Sequence, residues 1–190
     1  MIPFNSDRIN IIEIIETYGK QSLYVINVYL PRQACKISDF KKHVDILEEM
    51  VNDCRSSGEV IIVGDMNSHF GKDLGSRFSG KSTSNATYLN MCIKRCNLII
   101  MDGDKNICSG PCHTFNVPGV GRSYIDHCVA TPMIASYTNG IRILEDCVIN
   151  TSDHLPVLIS LNIHKSKIAD YKCNVLPRFI IMSLNIAKWR

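Results

Sequence analysis

The chain has 190 residues, 45% hydrophobic and 21% charged, which supplies enough apolar side chain for one buried core and excludes a globally disordered polypeptide. A formal net charge of +3 neither demands nor excludes a polyanionic partner, because affinity for phosphate depends on where Lys and Arg cluster. No apolar run is long enough to span a bilayer, and the N-terminus MIPFNSDRIN lacks the basic-then-apolar order of a signal peptide. The expectation is an intracellular protein, nuclear or cytoplasmic, with no membrane role and no obligate protein partner inferred. Nine cysteines, an odd number scattered along the chain, fit reduced thiols acting as small core residues better than a disulfide framework.

Taken in order, Arg8 to Thr17 (RINIIEIIET) and Gln21 to Leu30 (QSLYVINVYL) are β-rich runs separated by Tyr18, Gly19 and Lys20, and they predict a hairpin. The second run presents Asn27 and Tyr29 just before Pro31, whose ring ends the strand. From Ser38 to Cys54 the apolar residues Phe40, Val44, Leu47, Val51 and Cys54 recur at three and four, so an amphipathic helix is expected there. Ser38 or Asp39 is placed to cap its start, with Ser56, Ser57 and Gly58 ending it.

Next comes GEVIIVGDMNSHF, Gly58 to Phe70. Its apolar run Val60 to Val63 predicts a strand buried on both faces, the centre of a sheet. The strand delivers Asp65 and Asn67 to one pocket, a carboxylate fit to take a proton and a carboxamide fit to hold a phosphate oxygen, while His69 falls in the following loop. Strand, helix and strand in this order imply an α/β unit with a crossover helix.

Gly71 to Thr87 reads as a long surface loop with Lys72, Arg77 and Lys81 available to phosphates or simply solvated. A second helix is expected over Tyr88 to Cys96, then a buried strand over Asn97 to Met101. Cys92, Cys96, Cys108 and Cys112 beside His113 invite a zinc reading, against which stand their spacing and the place of the first pair on the helix's apolar stripe.

Residues 112–131, CHTFNVPGVGRSYIDHCVAT, predict a short strand ending at Thr114 and Phe115, a turn over Pro118 to Gly121, and a second strand from Ser123 to Ala130 with Asp126 in its middle. A carboxylate among apolar neighbours needs a cation or an imidazole N–H. Ile141 to Val148 is another expected strand. In TSDHLPVLISL, Ser152, Asp153 and His154 stand immediately before a last apolar strand ending near Ile163. Asp126 is available to orient the imidazole of His154, which makes His154 a candidate general acid or electrostatic stabiliser.

The ordered motifs NVYLP, VGDMN, SYIDH and SDHLPV, spread from Gln21 to Ile163, resemble those of the endonuclease/exonuclease/phosphatase (DNase I-like) family, and most closely the endonuclease domains of LINE-type retrotransposons. The resemblance implies a two-sheet α/β sandwich over residues 1–163, incomplete at its N-terminus, that cuts a phosphodiester of nucleic acid, DNA first, with Mg²⁺ or Mn²⁺. Within it Asp65 would orient or deprotonate water, Asn67 and Tyr29 would hold the scissile phosphate, His154 held by Asp126 would stabilise its charge, and Asp153 would lie at or near the metal. Thr114 and Ser123 would add hydroxyl contacts to the substrate or serve the strand and turn. The family's opening strands, one with an Asn and one ending in the metal-binding Glu, would precede Arg8 and are not in this sequence. A catalytically dead retroelement remnant and a family phosphatase therefore stand as alternatives to a nuclease. Residues 164–190 form a linker and a tail whose FIIMSLNIAKWR resembles that first strand, with Asn185 where its Asn belongs, either starting a second copy or folding back beside the strand ending at Ile163.

Overall fold

The structure, a computed structural model, describes residues 6–14, 21–119, 121–148 and 150–162 and the backbone of a strand at 181–184. Strands β1 (Ile9–Ile14) and β2 (Ser22–Tyr29) pair antiparallel as expected, with Ile9 opposite Val28. The connection Tyr18-Gly19-Lys20 lies outside the described residues. Helix α1 (Ile37–Arg55) buries Phe40, Val44, Leu47, Met50, Val51 and Cys54. Its start differs from the expectation: Lys36 is the cap residue and no side chain caps it, while Asp39 sits in the first turn, where its charge opposes the helix dipole. Strand β3 (Gly58–Asp65) then runs parallel to β2, so the crossover unit forms as the sequence order implied.

A first sheet has the order β1-β2-β3-β8 (Asp126–Ala130)-β4 (Ile99–Ile100), and β3 is its centre. Val60, Ile61, Ile62 and Val63 are all buried. Each such side chain contributes roughly 1.5–3 kcal/mol by leaving water, which fixes the position of whatever follows the strand. The segment after it is not a uniform surface loop. Phe70 and Phe78 turn inward, a 3₁₀ turn forms at Lys72–Leu74, and helix α2 (Ser84–Arg95) starts earlier than its apolar stripe suggested because the Thr83 side chain accepts from the Ala86 N–H. The strand expected over 97–101 shortens to β4 (Ile99–Ile100) at the sheet's edge, where Ile99 is 43% exposed. Leu98 and Met101 carry the burial that made the run look like a central strand.

Beyond β4 come β5 (Cys108–Ser109), β6 (Phe115–Val117), β7 (Gly121–Ser123), β8 (Asp126–Ala130), helix α3 (Pro132–Ser136), β9 (Thr138–Ile143) and β10 (Val157–Leu161). The single strand expected from Ser123 to Ala130 is therefore two: β7 pairs only with β6, and β8 enters the first sheet antiparallel to β3. Asp126 is the first residue of β8, not mid-strand. The strand expected over 141–148 lies earlier, as β9. A second sheet has the order β11-β10-β9-β5, where β11 (Ile181–Leu184) runs parallel to β10 along its outer edge. Asn185 lies outside the described residues. One continuous apolar core joins residues of both sheets and both longer helices, which makes this a two-sheet α/β sandwich. Cys54, Cys92, Cys96, Cys108 and Cys128 are buried in it, and Cys35, Cys112 and Cys147 are exposed thiols.

Candidate active site

Three adjacent strands of the first sheet deliver a row of functional side chains. Tyr29 at the end of β2 is paired in register with Asp65 at the end of β3, and Asp65 with Asp126 at the start of β8. Gly64 prepares this row. Its φ of +132° and the 2.1 Å that a Cβ would leave to the Val28 carbonyl oxygen exclude any side chain there, so β2 and β3 approach closely just before Asp65. Tyr29 is 47% exposed, with the Arg8 guanidinium 5.2 Å from the centre of its ring.

Asn67 closes the turn after β3 with φ 44°, a left-handed conformation that Asn tolerates better than most residues. Its backbone N–H donates to Asp65 Oδ1 at 2.9 Å, and its side-chain Nδ2 donates to Asp65 Oδ2 at 3.0 Å and to the Leu30 carbonyl at 2.8 Å. Both amide hydrogens are thus spent within the protein. The expected phosphate donor is corrected: the amide is turned onto the Asp65 carboxylate and the Leu30 carbonyl, and among the described residues its Oδ1 accepts no hydrogen bond. Asn85, buried on the first turn of α2, donates in turn to the Asn67 carbonyl at 3.3 Å. No periodicity marked Asn85, and its burial, which gives it this role, is visible only in the fold.

His154 stands across from this cluster. Asp126 Oδ2 accepts from its Nδ1 at 2.9 Å, and its Nε2 lies 4.0 Å from Asp65 Oδ2 and 4.0 Å from Asp153 Oδ1. Those longer separations are beyond hydrogen-bond reach and leave room for a bridging water or a phosphate oxygen. The edge of the Phe115 ring meets the imidazole at 5.2 Å between centroids, and the two residues form an isolated β-bridge. Thr114 is corrected too. It is fully buried, and its hydroxyl oxygen accepts the N–H groups of Ile125 and Asp126, so it anchors the start of β8 and does not reach substrate. Ser123 lies on β7 and lines a polar cavity of about 770 Å³, which also takes in His113, Asn116 and Arg122 but none of the carboxylate row. The structure brings Tyr29, Asp65, Asn67, Asp126, Asp153 and His154 to one end of the first sheet, and sets Thr114 beneath and Ser123 beside them.

Electrostatics separate the two central groups. Burial, then repulsion from Asp126, raises the Asp65 carboxyl from 3.8 to about 6, against the opposing Asn67 N–H bond and the nearby imidazoles. The His154 imidazole is raised above its usual value, first by its hydrogen bond to Asp126 and then, with burial opposing, by attraction from Asp126, Asp65 and Asp153. A base that ionises near neutrality faces a ring that holds its proton longer than usual, the pairing general acid–base chemistry requires.

A divalent cation fits this arrangement incompletely. The oxygen donors are of the hard type that Mg²⁺ prefers, and of the three carboxylates around His154 Asp153 is the most exposed, with 56% of its side chain accessible. Yet Asp65 has both oxygens bonded to Asn67, Asp126 bonds His154, and no group of three His, Cys, Asp or Glu among the described residues converges as a ligand set.

A family profile described as endonuclease-reverse transcriptase matches residues 23–158. Among solved structures, the endonuclease domain of TRAS1, a telomere-specific non-LTR retrotransposon, superposes with a TM-score of 0.56 at 20% identity over 78% of this chain and 60% of its own. The 3′ phosphatase NExo from Neisseria bound to a product DNA hairpin gives 0.55 at 18% identity over 71% of this chain and 59% of its own. The AP endonuclease LMAP from Leishmania major gives 0.55 at 16% identity over 79% and 53%. The chain corresponds to between half and two thirds of the length of these structures, and their fold is DNase I-like, as is this one. No curated protein sequence matches.

Proposed function

The chain belongs to the endonuclease-reverse transcriptase family, and on that premise we propose that it hydrolyses phosphodiester bonds in nucleic acid, DNA first, as a retroelement-type endonuclease. The observation that carries this reading is the pairing at the sheet's end: His154, fixed through Nδ1 by Asp126, turns Nε2 toward a raised, buried Asp65 carboxylate across 4.0 Å.

In this reading, ionised Asp65 draws the proton from a water as the water's oxygen bonds phosphorus and the bond from phosphorus to the leaving sugar oxygen breaks. His154 in its protonated form donates from Nε2 to a nonbridging oxygen and stabilises the charge that builds there. Asp126 holds the ring's orientation and favours its charged form. Asn67 holds the Asp65 carboxylate, and the exposed Tyr29 hydroxyl meets the phosphate from the neighbouring strand. Mg²⁺ or Mn²⁺, when bound, would neutralise the nonbridging oxygens, with Asp153 and the free Oδ1 of Asn67 as the oxygens this chain offers it.

Plasmid nicking in the presence of Mg²⁺, repeated with Asp65→Ala and His154→Ala, tests the reading. Nicking that falls with either substitution supports it, and nicking that survives both belongs to another protein. DNA compared with soluble phosphoesters in the same assay separates a nuclease from a phosphatase. Binding that weakens steeply with salt marks the polyanion as the substrate. Absence of nicking by the intact chain would leave a nucleic-acid-binding relative without activity.

A further inference from the structure

A second histidine–aspartate pair lies directly behind the first. His127 follows Asp126 on β8 and points to the other side of the sheet, where its side chain is fully buried. Its Nδ1 lies 2.8 Å from Asp102 Oδ2, and its Nε2 lies 2.8 Å from the Ser68 carbonyl oxygen. A carbonyl oxygen only accepts, so Nε2 must carry a hydrogen. A hydrogen must also lie between Nδ1 and the carboxylate, since two acceptors would otherwise face each other at 2.8 Å in a fully buried site. The pair therefore holds two protons and is neutral as a unit. Asp102 Oδ1 is not available to share the second proton, because it accepts the Cys128 N–H at 2.7 Å. The ring is packed by Tyr124, stacked at 5.4 Å, and by the edges of Phe70 and Phe78 at 4.5 Å and 5.5 Å. The charged groups that face it are Asp102 from the β4–β5 segment, Asp126 beside it on β8, and Asp65 across on β3.

The ends of this network are the informative part. Ser68 is the residue after Asn67, and its hydroxyl donates back to the Met66 carbonyl at 2.8 Å, so the Ser68 carbonyl sits in a turn that cannot move without moving Asn67. At the other end, Asp102 grips the backbone of β8 through Cys128. One imidazole thus joins the turn that aims Asp65 to the strand that presents Asp126.

We propose that His127, clamped by Asp102, is a positioning residue of the cleavage site that locks the Asn67–Ser68 turn to β8 and so fixes Asp65 relative to Asp126 and His154. Its kinetic consequence rests on the nuclease reading, and its structural chemistry does not. In the parent chain His127 donates from both ring nitrogens, and the site keeps its geometry only while both nitrogens stay bonded, Nδ1 to the side chain at position 102 and Nε2 to the Ser68 carbonyl. Replacing Asp102 by Asn preserves every hydrogen bond: the Asn oxygen accepts from Cys128, its amide donates to a neutral ring at Nδ1, and Nε2–H still reaches Ser68.

Two measurements on the full chain test this. In ¹⁵N NMR of labelled histidine, both ring nitrogens of His127 are expected to stay protonated from about pH 5 to about pH 9, where an ordinary histidine loses one proton. A bare nitrogen at neutral pH overturns the proposal. In the nicking assay, His127→Phe is expected to lower kcat on the order of 100-fold with KM unchanged, while Asp102→Asn stays within about tenfold of the parent. Leu47→Ala, an α1 core substitution away from the site, controls for destabilisation and is expected to leave kcat per folded molecule intact. A His127→Phe kcat equal to that of Leu47→Ala reduces His127 to a packing residue. If the parent chain does not nick, the nuclease reading fails by itself, and amide exchange decides instead. Faster exchange of the Asn67 N–H in His127→Phe but not in Asp102→Asn supports the positioning role, and equal exchange in both overturns it.

Discussion

Two consecutive residues of β8 build two histidine–aspartate pairs that differ in almost everything except their chemistry. Asp126 meets His154 on the open side of the sheet, where the ring keeps 23% of its surface and one nitrogen faces the carboxylates. His127 meets Asp102 on the inner side, with neither nitrogen left for a ligand and no exposure of the ring. The alternation of side chains along a strand sends neighbours to opposite faces, so one two-residue motif supplies a pair at the rim and a pair in the core. Burial decides the division of labour. A pair at the rim costs little to open and can exchange protons, whereas a pair in the core is costly to break and is suited to holding geometry.

The largest expected effect separates the pairs by activity. His154→Ala should lower nicking on the order of 100-fold to 10,000-fold with only a minor change in unfolding midpoint, because the ring is partly exposed. Next comes stability. Asp102→Ala strands His127 in the core and should cost about 3–5 kcal/mol in denaturant unfolding, several times the cost of Asp126→Ala. Similar stability losses for the two would erase the distinction drawn between them.

The pH profile sharpens it further. The rate should climb as pH rises through about 6, where Asp65 ionises, and Asp126→Asn should move that limb to lower pH by removing the second-largest cause of the shift. A flat profile between pH 5 and 7 would detach Asp65 from proton transfer. The smallest effect is on stability at the same residue. A carboxyl whose folded pKa is raised from 3.8 to about 6 contributes stability that is present below 3.8 and lost as pH rises through about 6. Asp65→Asn should therefore stabilise the fold by about 1 kcal/mol at pH 7.5, less than the shift alone implies because its amide faces that of Asn67, and the gain should vanish near pH 4.

Much of this architecture was legible from periodicity. Val60 to Val63 marked the central strand, and the stripe from Phe40 to Cys54 marked the crossover helix, because burial on fixed faces leaves a repeating signal. Asp65 and His154 stood out because a polar residue at the mouth of an apolar run is conspicuous, and Asp126 because a carboxylate among apolar neighbours needs a partner, although the sequence alone puts it mid-strand and the fold puts it at the strand's start. Less was legible where contact, not periodicity, sets the role. Thr114 was open to a substrate contact or a strand role, and only its burial and its bonds from the Ile125 and Asp126 N–H groups decide for the strand. Asn67 looked like a donor to phosphate until the turn at φ 44° aimed its amide at Asp65 and Leu30. Ile99 looked buried because Leu98 and Met101 beside it are. Asp102 and His127 meet across 25 residues of chain, and no local pattern announces such a pair.

The central claim is that Asp65 and the Asp126-held His154 form a phosphodiester-cleaving site. Its most direct test is nicking of supercoiled plasmid by the full chain with Mg²⁺, alongside the same chain carrying His154→Ala at equal folded concentration. Mg²⁺-supported nicking by the parent that falls at least about 100-fold in the variant is the expected result. Equal nicking by both, or none by the parent, would contradict it.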